Sequence, residues 1–291
     1  MASLDAFGGY PQRMKRKTWI RIMLGLVGLY LGACIAFGER LIHPAGPDPA
    51  RPVGFAESRL GGVACWTLPS SNRDVTFVFV HGLKGSRAHW VNLMKALQHH
   101  GYASVSVPLP GHSGSDERVC TVGPRERDTV IAVCKAIREK DPKMKIVLSG
   151  VSLGGAACWL AAESDKEIAD AIFTESAFAS LPPAIDHWFD RVVPLGHVIL
   201  RPVIWWAQFR TGTQLSEVHP VRGAAAWRHK PAIVAHVVGD SVIQEWHGQH
   251  LSKAVGVELW RIEGVDHSTG VSSARAEYLA RLIALAETVS N

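Results

Sequence analysis

The stretch that decides the fold is residues 145–160, which read KIVLSGVSLGGAACWL. It begins like a buried strand, with apolar and β-branched residues, and ends like the start of a packed helix, with small apolar ones. Between the two lies GVSLG, residues 150–154. Glycines on both sides of a serine at a strand-to-helix turn let the two elements approach closely and leave the serine hydroxyl accessible. The pattern indicates that Ser152 is a nucleophile, the alternative being an ordinary glycine-rich turn.

Strand-like and helical segments alternate through most of the chain. The predicted strands are residues 62–68, 75–80, 103–107, 145–149, 169–174, 232–238 and 257–262, and the predicted helices include residues 87–100, 126–139 and 274–289. This alternation predicts an α/β fold with a mostly parallel central sheet and helices on both faces. Residues 176–230, rich in proline and aromatic residues, interrupt it and are too long for a plain loop. We expect them to form a cap over the sheet, the alternative being ordinary core-packing helices.

Two further candidate catalytic residues follow the serine in the chain. Asp240 and His267 come directly after the last two predicted strands. The carboxyl ends of parallel strands share one edge of the sheet, so both side chains are expected to meet Ser152 there. His267 would accept the serine proton, and Asp240 would orient the imidazole and stabilise its charged form. Glu175, at the end of an earlier strand, is a second candidate for the acid, and Asp266 is a third.

The loop after the strand at residues 75–80 completes the predicted site. It reads HGLKG, residues 81–85. The backbone N–H groups of Leu83 and Leu153 are the candidates for an oxyanion hole, one from this loop and one from the residue after the nucleophile. We interpret His81 as a structural residue that holds the loop by hydrogen bonds.

The joint order of these motifs resembles that of the α/β-hydrolase fold family. The matching motifs are His81-Gly82, the turn around Ser152, Gly111-His112-Ser113-Gly114-Ser115, Asp240-Ser241-Val242-Ile243 and Gly264-Val265-Asp266-His267. The resemblance implies an α/β-hydrolase fold from about residue 54 to the C-terminus. It also implies cleavage of a carboxylic ester or thioester through an acyl-enzyme, without a metal or organic cofactor. Pro108 and Val237 depart from common members at positions that carry no chemistry.

A rival interpretation comes from another functional class. Because one fold hosts several activities, the chain could be a membrane-tethered binding or scaffold protein that has the fold without turnover. An intact serine, histidine and aspartate argue against it. We expect a small-molecule or lipid ester as substrate, and the sequence leaves the acyl group, the leaving group and the oligomeric state open.

The N-terminal region carries most of the excess charge. The net charge is +5, and residues 1–21 account for +4 of it. A basic face for nucleic acid is therefore excluded, because the rest of the chain is nearly neutral. Residues 22–37, IMLGLVGLYLGACIAF, contain no charge. With their neighbours they reach the length needed to cross a bilayer, and they lack the polar stripe of a soluble helix.

The charge pattern predicts an orientation and a division of the chain. Basic residues before the span place residues 1–17 in the cytoplasm, residues 18–38 as a signal-anchor, and residues 39–53 as a linker. The catalytic domain, residues 54–291, would then be exported, and periplasmic in a bacterium. The basic N-terminus, the single span and the lead-in ERLIHP are similar to the membrane-anchored branch of the family. A lipoprotein modified at Cys34 and a cleaved signal peptide are the alternatives.

The remaining cysteines show no metal-binding spacing. Cys65, Cys120, Cys134 and Cys158 lie in the predicted domain. Export would permit a disulfide, whose pairing the sequence leaves open. Cys158, at an apolar helix start, is expected to be a packed free thiol.

Overall fold

The structure, a computed structural model, describes residues 16–46, 48–70 and 74–290. Apart from Arg16 and Lys17, the predicted cytoplasmic segment of residues 1–17 therefore lies outside the described residues. The elements outside the cap region are β1 (Ala56–Leu60), β2 (Val63–Leu68), β3 (Val75–Val80), α2 (Val91–His99), β4 (Ala103–Val107), α3 (Pro124–Lys140), β5 (Lys145–Val151), α4 (Leu153–Ser164), β6 (Ala171–Glu175), β7 (Ala232–Val238), α9 (Glu245–Val255), β8 (Leu259–Glu263), α10 (Gly270–Ser273) and α11 (Arg275–Glu287), preceded by α1 (Arg16–Ile42).

Eight strands form one sheet in the order β1-β2-β4-β3-β5-β6-β7-β8. β2 is antiparallel to both β1 and β4, and the strands from β4 to β8 are parallel. The expected mostly parallel sheet is confirmed. The sequence did not predict β1, because this edge strand reads AESRL and is largely exposed, so it lacks the apolar run of a buried strand.

Successive side chains of β3 point alternately into two separate hydrophobic cores. Phe77 and Phe79 pack with α2 and α11 on one face, while Val78 and Val80 pack with α3, α4 and α9 on the other. Every residue of β3 is buried, as expected of a parallel strand covered on both faces. The sheet is therefore a rigid support for the loops at its carboxyl edge.

The region of residues 176–230 contains α5 (Leu181–Val192), α6 (Gly196–Ile199), α7 (Arg201–Thr211), a short 3-10 turn and α8 (Pro220–Ala226). The helices of this region pack in two different ways. α8 packs against α4, and Ala224 and Trp227 are fully buried in the main core. Helices α5 to α7, which we call the cap helices, lie outside that layer, beside the start of α4 and the end of α1.

Helix α1 does not stand apart from the rest of the chain. Among the described residues it is the one helix whose length and composition would allow it to cross a membrane. Its first half is exposed, but Cys34 and Gly38 are buried against the cap helices, and Ile42 is buried where its carbonyl accepts the N–H of Cys120. The helix runs from Arg16 to Ile42, so it extends past the predicted span of residues 18–38 and into the predicted linker.

All five cysteines are buried and none forms a disulfide. The expectation that Cys158 is a packed free thiol is confirmed. Burial raises the pKa of the Cys65 and Cys134 thiols to about 12, so both remain protonated at neutral pH.

The turn between β5 and α4 depends on a close approach that only glycine permits. A Cβ at Gly154 would overlap the carbonyl oxygens of Val80 and His81 at the end of β3. We expect Gly154→Ala to lower the free energy of unfolding by about 1–3 kcal/mol, because the start of α4 must move away from the sheet. Gly46→Ala is the matched control, since a Cβ there meets nothing within 4 Å. Thermal unfolding followed by tryptophan fluorescence checks the difference, and equal melting temperatures would contradict it.

Candidate active site

Ser152 occupies a strained position between β5 and α4. Its φ is 53° and its ψ is −120°, outside the regions that residues with a side chain favour. Its backbone N–H donates to the carbonyl of Glu175 at 2.9 Å, which ties the turn to β6. Strain of this kind persists only where the surroundings impose it, and here the close approach at Gly154 does so. The serine is 8% exposed.

The structure brings together the three residues of the predicted triad. Ser152 Oγ lies 2.8 Å from His267 Nε2, and His267 Nδ1 lies 2.7 Å from Asp240 Oδ2. With the imidazole proton on Nδ1 donated to Asp240, Nε2 is left to accept the serine hydroxyl proton. This arrangement can activate the hydroxyl as a nucleophile.

Asp240 is held as a carboxylate by three hydrogen bonds. Its Oδ1 accepts the backbone N–H groups of Val242 and Ile243, each at 2.9 Å, while Oδ2 faces His267. Burial alone would raise the pKa of Asp240, but the bond from His267 and the two backbone bonds outweigh it and hold the pKa below the ordinary value. The carboxyl of Asp240 therefore stays charged beside the imidazole of His267.

The other two candidate acids serve different partners. Glu175 Oε1 accepts the backbone N–H of Gly270 at 2.8 Å, and burial raises the pKa of this carboxyl. Asp266 accepts the hydroxyl of Ser241 at 2.6 Å and the backbone N–H of His267 at 2.7 Å. Glu175 thus fixes the start of α10, and Asp266 fixes the loop that carries the histidine. Neither makes a side-chain hydrogen bond to the imidazole within the described part of the chain.

The two predicted oxyanion donors border the serine. Leu153 is the first residue of α4, so its N–H has no partner within the helix. The loop carrying Leu83 is adjacent, because a Cβ at Gly82 would lie 3.2 Å from Ser152 Cβ and 3.8 Å from its Oγ. Neither N–H is paired with another group of the described residues. Both N–H groups are thus available as hydrogen-bond donors beside the serine.

Two buried histidines hold this loop in place. His81 donates from Nδ1 to the carbonyl of Gly82 at 2.8 Å and accepts the N–H of Leu109 on Nε2 at 3.2 Å. His112 accepts the N–H of Lys84 on Nε2 at 3.1 Å. Burial lowers the pKa of His81 to about 3, so it is neutral and cannot serve as a base at neutral pH. The sequence interpretation missed the role of His112, although the motif containing it was noted.

An apolar cavity of about 150 Å³ opens beside the two candidate donors. Its lining includes Leu83 and Leu153 next to the serine, α5 and α7 of the cap, and Leu41 and Ile42 at the end of α1. The contribution of α1 was not anticipated from the sequence, where these residues read as a linker. Within the described ranges, no group of acidic, histidine or cysteine side chains could hold a metal ion.

Comparison with known proteins addresses the fold. The sequence pattern of the family described as "alpha/beta hydrolase fold" matches residues 75–200. An esterase of Pyrococcus furiosus superposes with a TM-score of 0.63 at 19% identity, covering 83% of this chain and 98% of its own. The chain has an α/β-hydrolase fold.

Two further structures with this α/β-hydrolase fold also have low sequence identity to this chain. A carboxylesterase of Nitrososphaera gargenis gives a TM-score of 0.55 at 15% identity, covering 81% of this chain and 100% of its own. A metagenome-derived lipolytic enzyme gives 0.53 at 17% identity, covering 76% and 97%. Among curated proteins, no sequence match is found.

The geometry makes a prediction about which acid supports the serine. Asp240→Asn should slow the reaction of Ser152 with a fluorophosphonate by about three to four orders of magnitude, because the amide favours the wrong imidazole tautomer. Glu175→Gln is the matched control and should change the rate far less, since Glu175 bonds Gly270 and not the imidazole. Intact-mass spectrometry over time measures both rates, and the reverse ranking would move the acid role to Glu175.

Proposed function

We propose that the protein is a serine hydrolase that cleaves a carboxylic ester or thioester through an acyl-enzyme on Ser152. The observation that carries the proposal is the continuous hydrogen-bonded line from Ser152 to His267 to Asp240. His267 would take the serine proton as Oγ attacks the carbonyl carbon, and would return it to the leaving oxygen or sulfur. Leu83 and Leu153 N–H would stabilise the oxyanion. Water activated by His267 would then release the acid.

The fold-level neighbours support the same class of reaction. The esterase of Pyrococcus furiosus and the carboxylesterase of Nitrososphaera gargenis share the architecture at low identity. The proposed chemistry uses only protein groups, so we propose no cofactor. A non-catalytic scaffold is the competing function, and the free oxyanion donors beside an aligned triad weigh against it, because a binding protein has no use for them.

The cavity supports an apolar acyl group as the part of the substrate that the enzyme selects. An engineered apolar cavity of similar volume holds benzene, so an acyl chain of about six carbons fits the space. Each methylene buried there contributes about 0.8 kcal/mol. The cavity therefore favours medium-length acyl chains over acetate.

We also propose that the protein is anchored in a membrane by residues 18–38. In this proposal residues 1–17 remain in the cytoplasm, residues 39–53 join the anchor to the domain, and residues 54–291 form an exported catalytic domain whose cap lies at about 176–230. The exposed first half of α1 supports an anchor that contacts lipid. Packing of Cys34 against Phe189 and Val203 supports a retained helix over a lipidated, processed terminus.

The nucleophile is tested by Ser152→Ala. It should abolish hydrolysis of p-nitrophenyl hexanoate and labelling by fluorophosphonate while leaving the melting temperature unchanged. Ser149→Ala is the matched control, because this buried serine lies three residues earlier in β5 and should leave hydrolysis intact. A loss of only a few-fold in Ser152→Ala, where removal of a triad residue costs several orders of magnitude, would reject the assignment.

The acyl cavity is tested by chain length. For the native enzyme, kcat/KM should rise roughly fourfold per methylene from p-nitrophenyl acetate to hexanoate. Ala207→Phe fills the cavity from α7 and should remove this rise while sparing acetate hydrolysis. A rise that persists in the filled variant would show that the acyl chain binds elsewhere.

Anchoring is tested by fractionation of cells that produce the full chain. The protein should remain with membranes through high-salt and carbonate washes, because an apolar helix and not charge attaches it. Protease added to spheroplasts should digest the domain. A domain protected from protease would reverse the proposed orientation.

A further inference from the structure

Exposed apolar side chains are concentrated on the cap helices. Outside α1, six of the nine exposed large apolar residues in the described ranges fall within residues 192–209. These six, which we call the cap patch, are Val192, Leu195, Val198, Ile199, Trp205 and Phe209. Trp205 is 63% exposed and Phe209 is 78% exposed. Large apolar side chains clustered in this way on a surface mark a site of interaction.

Helix α7 presents three faces, and two of them pack against other parts of the protein. Val203 and Ala207 face the apolar cavity and are buried. Trp206 packs against Gly38 of α1 and donates its indole N–H to Glu39 at 2.8 Å. The third face carries Trp205 and Phe209; the Phe209 ring contacts the neighbouring Trp206 ring, but the described residues leave both Trp205 and Phe209 largely exposed. The cap patch is therefore a separate surface and not an edge of the core.

The cap patch continues the surface of the membrane-length helix. The Tyr30 hydroxyl donates to the carbonyl of Ile199, and Arg210 donates to Glu39 at 2.6 Å, so α6 and α7 run beside α1 from Tyr30 to Glu39. Between Tyr30 and Gly38 the axis of α1 advances about 12 Å. That distance is less than half of a hydrocarbon layer of about 30 Å. If α1 spans the bilayer, the cap helices beside it reach the depth of one leaflet.

All the charged side chains of this segment except Arg191 have an ionic partner among the described residues. Asp190 and His197 pair at 2.7 Å, and Arg201 lies 3.5 Å from Asp186. Arg210 is neutralised by Glu39 at the end of α1. Long basic side chains can also extend their charged ends to the water interface. A surface with exposed apolar side chains and nearby paired charges is typical of a segment that lies in the interface of a bilayer.

We propose that the cap patch inserts into the membrane leaflet beside α1, so that the acyl cavity beneath it receives its ester directly from the lipid layer. This inference rests on the proposed membrane anchor and names a membrane lipid ester as the substrate class of the proposed hydrolase. Val203 and Ala207 face the cavity, and Trp205 and Phe209 lie on the opposite face of α7, so one helix separates the cap patch from the cavity. The path of an acyl chain from lipid to cavity would therefore be about one helix diameter long.

Fluorescent labels on the full chain in phosphatidylcholine nanodiscs test the insertion. NBD is attached to Phe209→Cys in the cap patch, to Leu26→Cys in α1, or to Val53→Cys, which replaces a side chain 95% exposed outside the cap. The native cysteines are buried and should not react. Labels at 209 and 26 should show blue-shifted emission and be quenched by doxyl groups on lipid chains. The label at 53 should do neither.

The three labels separate failure of the inference from failure of the anchor. A quenched label at 26 with an unquenched, water-exposed label at 209 overturns the insertion while the anchor stands. A label at 209 that is shielded but not quenched by lipid would indicate a second copy of the chain on the cap patch, and also overturns it. Unquenched labels at both positions overturn the anchor together with the insertion.

Hydrolysis tests the route of the substrate. In nanodiscs, Phe209→Glu should slow cleavage of methylumbelliferyl heptanoate, whose medium-length acyl chain suits the cavity and partitions into lipid, about tenfold, the change that corresponds to 1.4 kcal/mol. It should leave the water-soluble methylumbelliferyl acetate unchanged, and Val53→Glu should affect neither ester. Equal effects on both esters would contradict delivery from the leaflet. If Ser152 hydrolyses neither ester, the proposed function fails and the labels alone decide the insertion.

Discussion

The hydrogen bonds of His267 are the interaction on which the site depends, and the sheet makes them possible. Ser152, Asp240 and His267 follow β5, β7 and β8, whose carboxyl ends lie along one edge of the sheet. Distances of 2.7 and 2.8 Å require that these loops be held closely. The turn at Ser152 is forced by the approach of α4 to β3, and the histidine loop is fixed by Asp266. These supports belong to the fold itself, so Ser152, His267 and Asp240 are held in their hydrogen-bonded arrangement by the surrounding loops and strands.

A second dependence links the N-terminal helix to the site. Leu41 and Ile42 form part of the cavity wall, and the carbonyl of Ile42 accepts the N–H of Cys120 at 2.8 Å. The predicted linker is also tied to the domain, since Asp48 pairs with the buried Arg87 at 2.8 Å. The helix is therefore a structural part of the cap region as well as an anchor in our proposal. Removing it would expose the cavity beside α7.

The sequence predicted the features that depend on local pattern. Apolar runs located seven of the eight strands, and the chain order of Ser152, Asp240 and His267 identified the residues that the structure brings together. Long-range packing could not be predicted from the sequence. The choice between Asp240 and Glu175 depends on which carboxylate faces the imidazole. The sequence pattern cannot decide it, because both residues lie at the end of a predicted strand. Nor could periodicity reveal that His112 holds the loop containing Leu83, that α8 joins the core, or that α1 lines a cavity.

One measurement tests the proposed site as a whole: a crystal structure of the full chain after reaction with a hexyl phosphonate. The account predicts phosphorus bonded to Ser152 Oγ, with the phosphonyl oxygen about 2.7–3.1 Å from the N–H groups of both Leu83 and Leu153. The hexyl chain should occupy the cavity between α7 and the end of α1. An unreacted Ser152, or a chain directed away from that cavity, would contradict it.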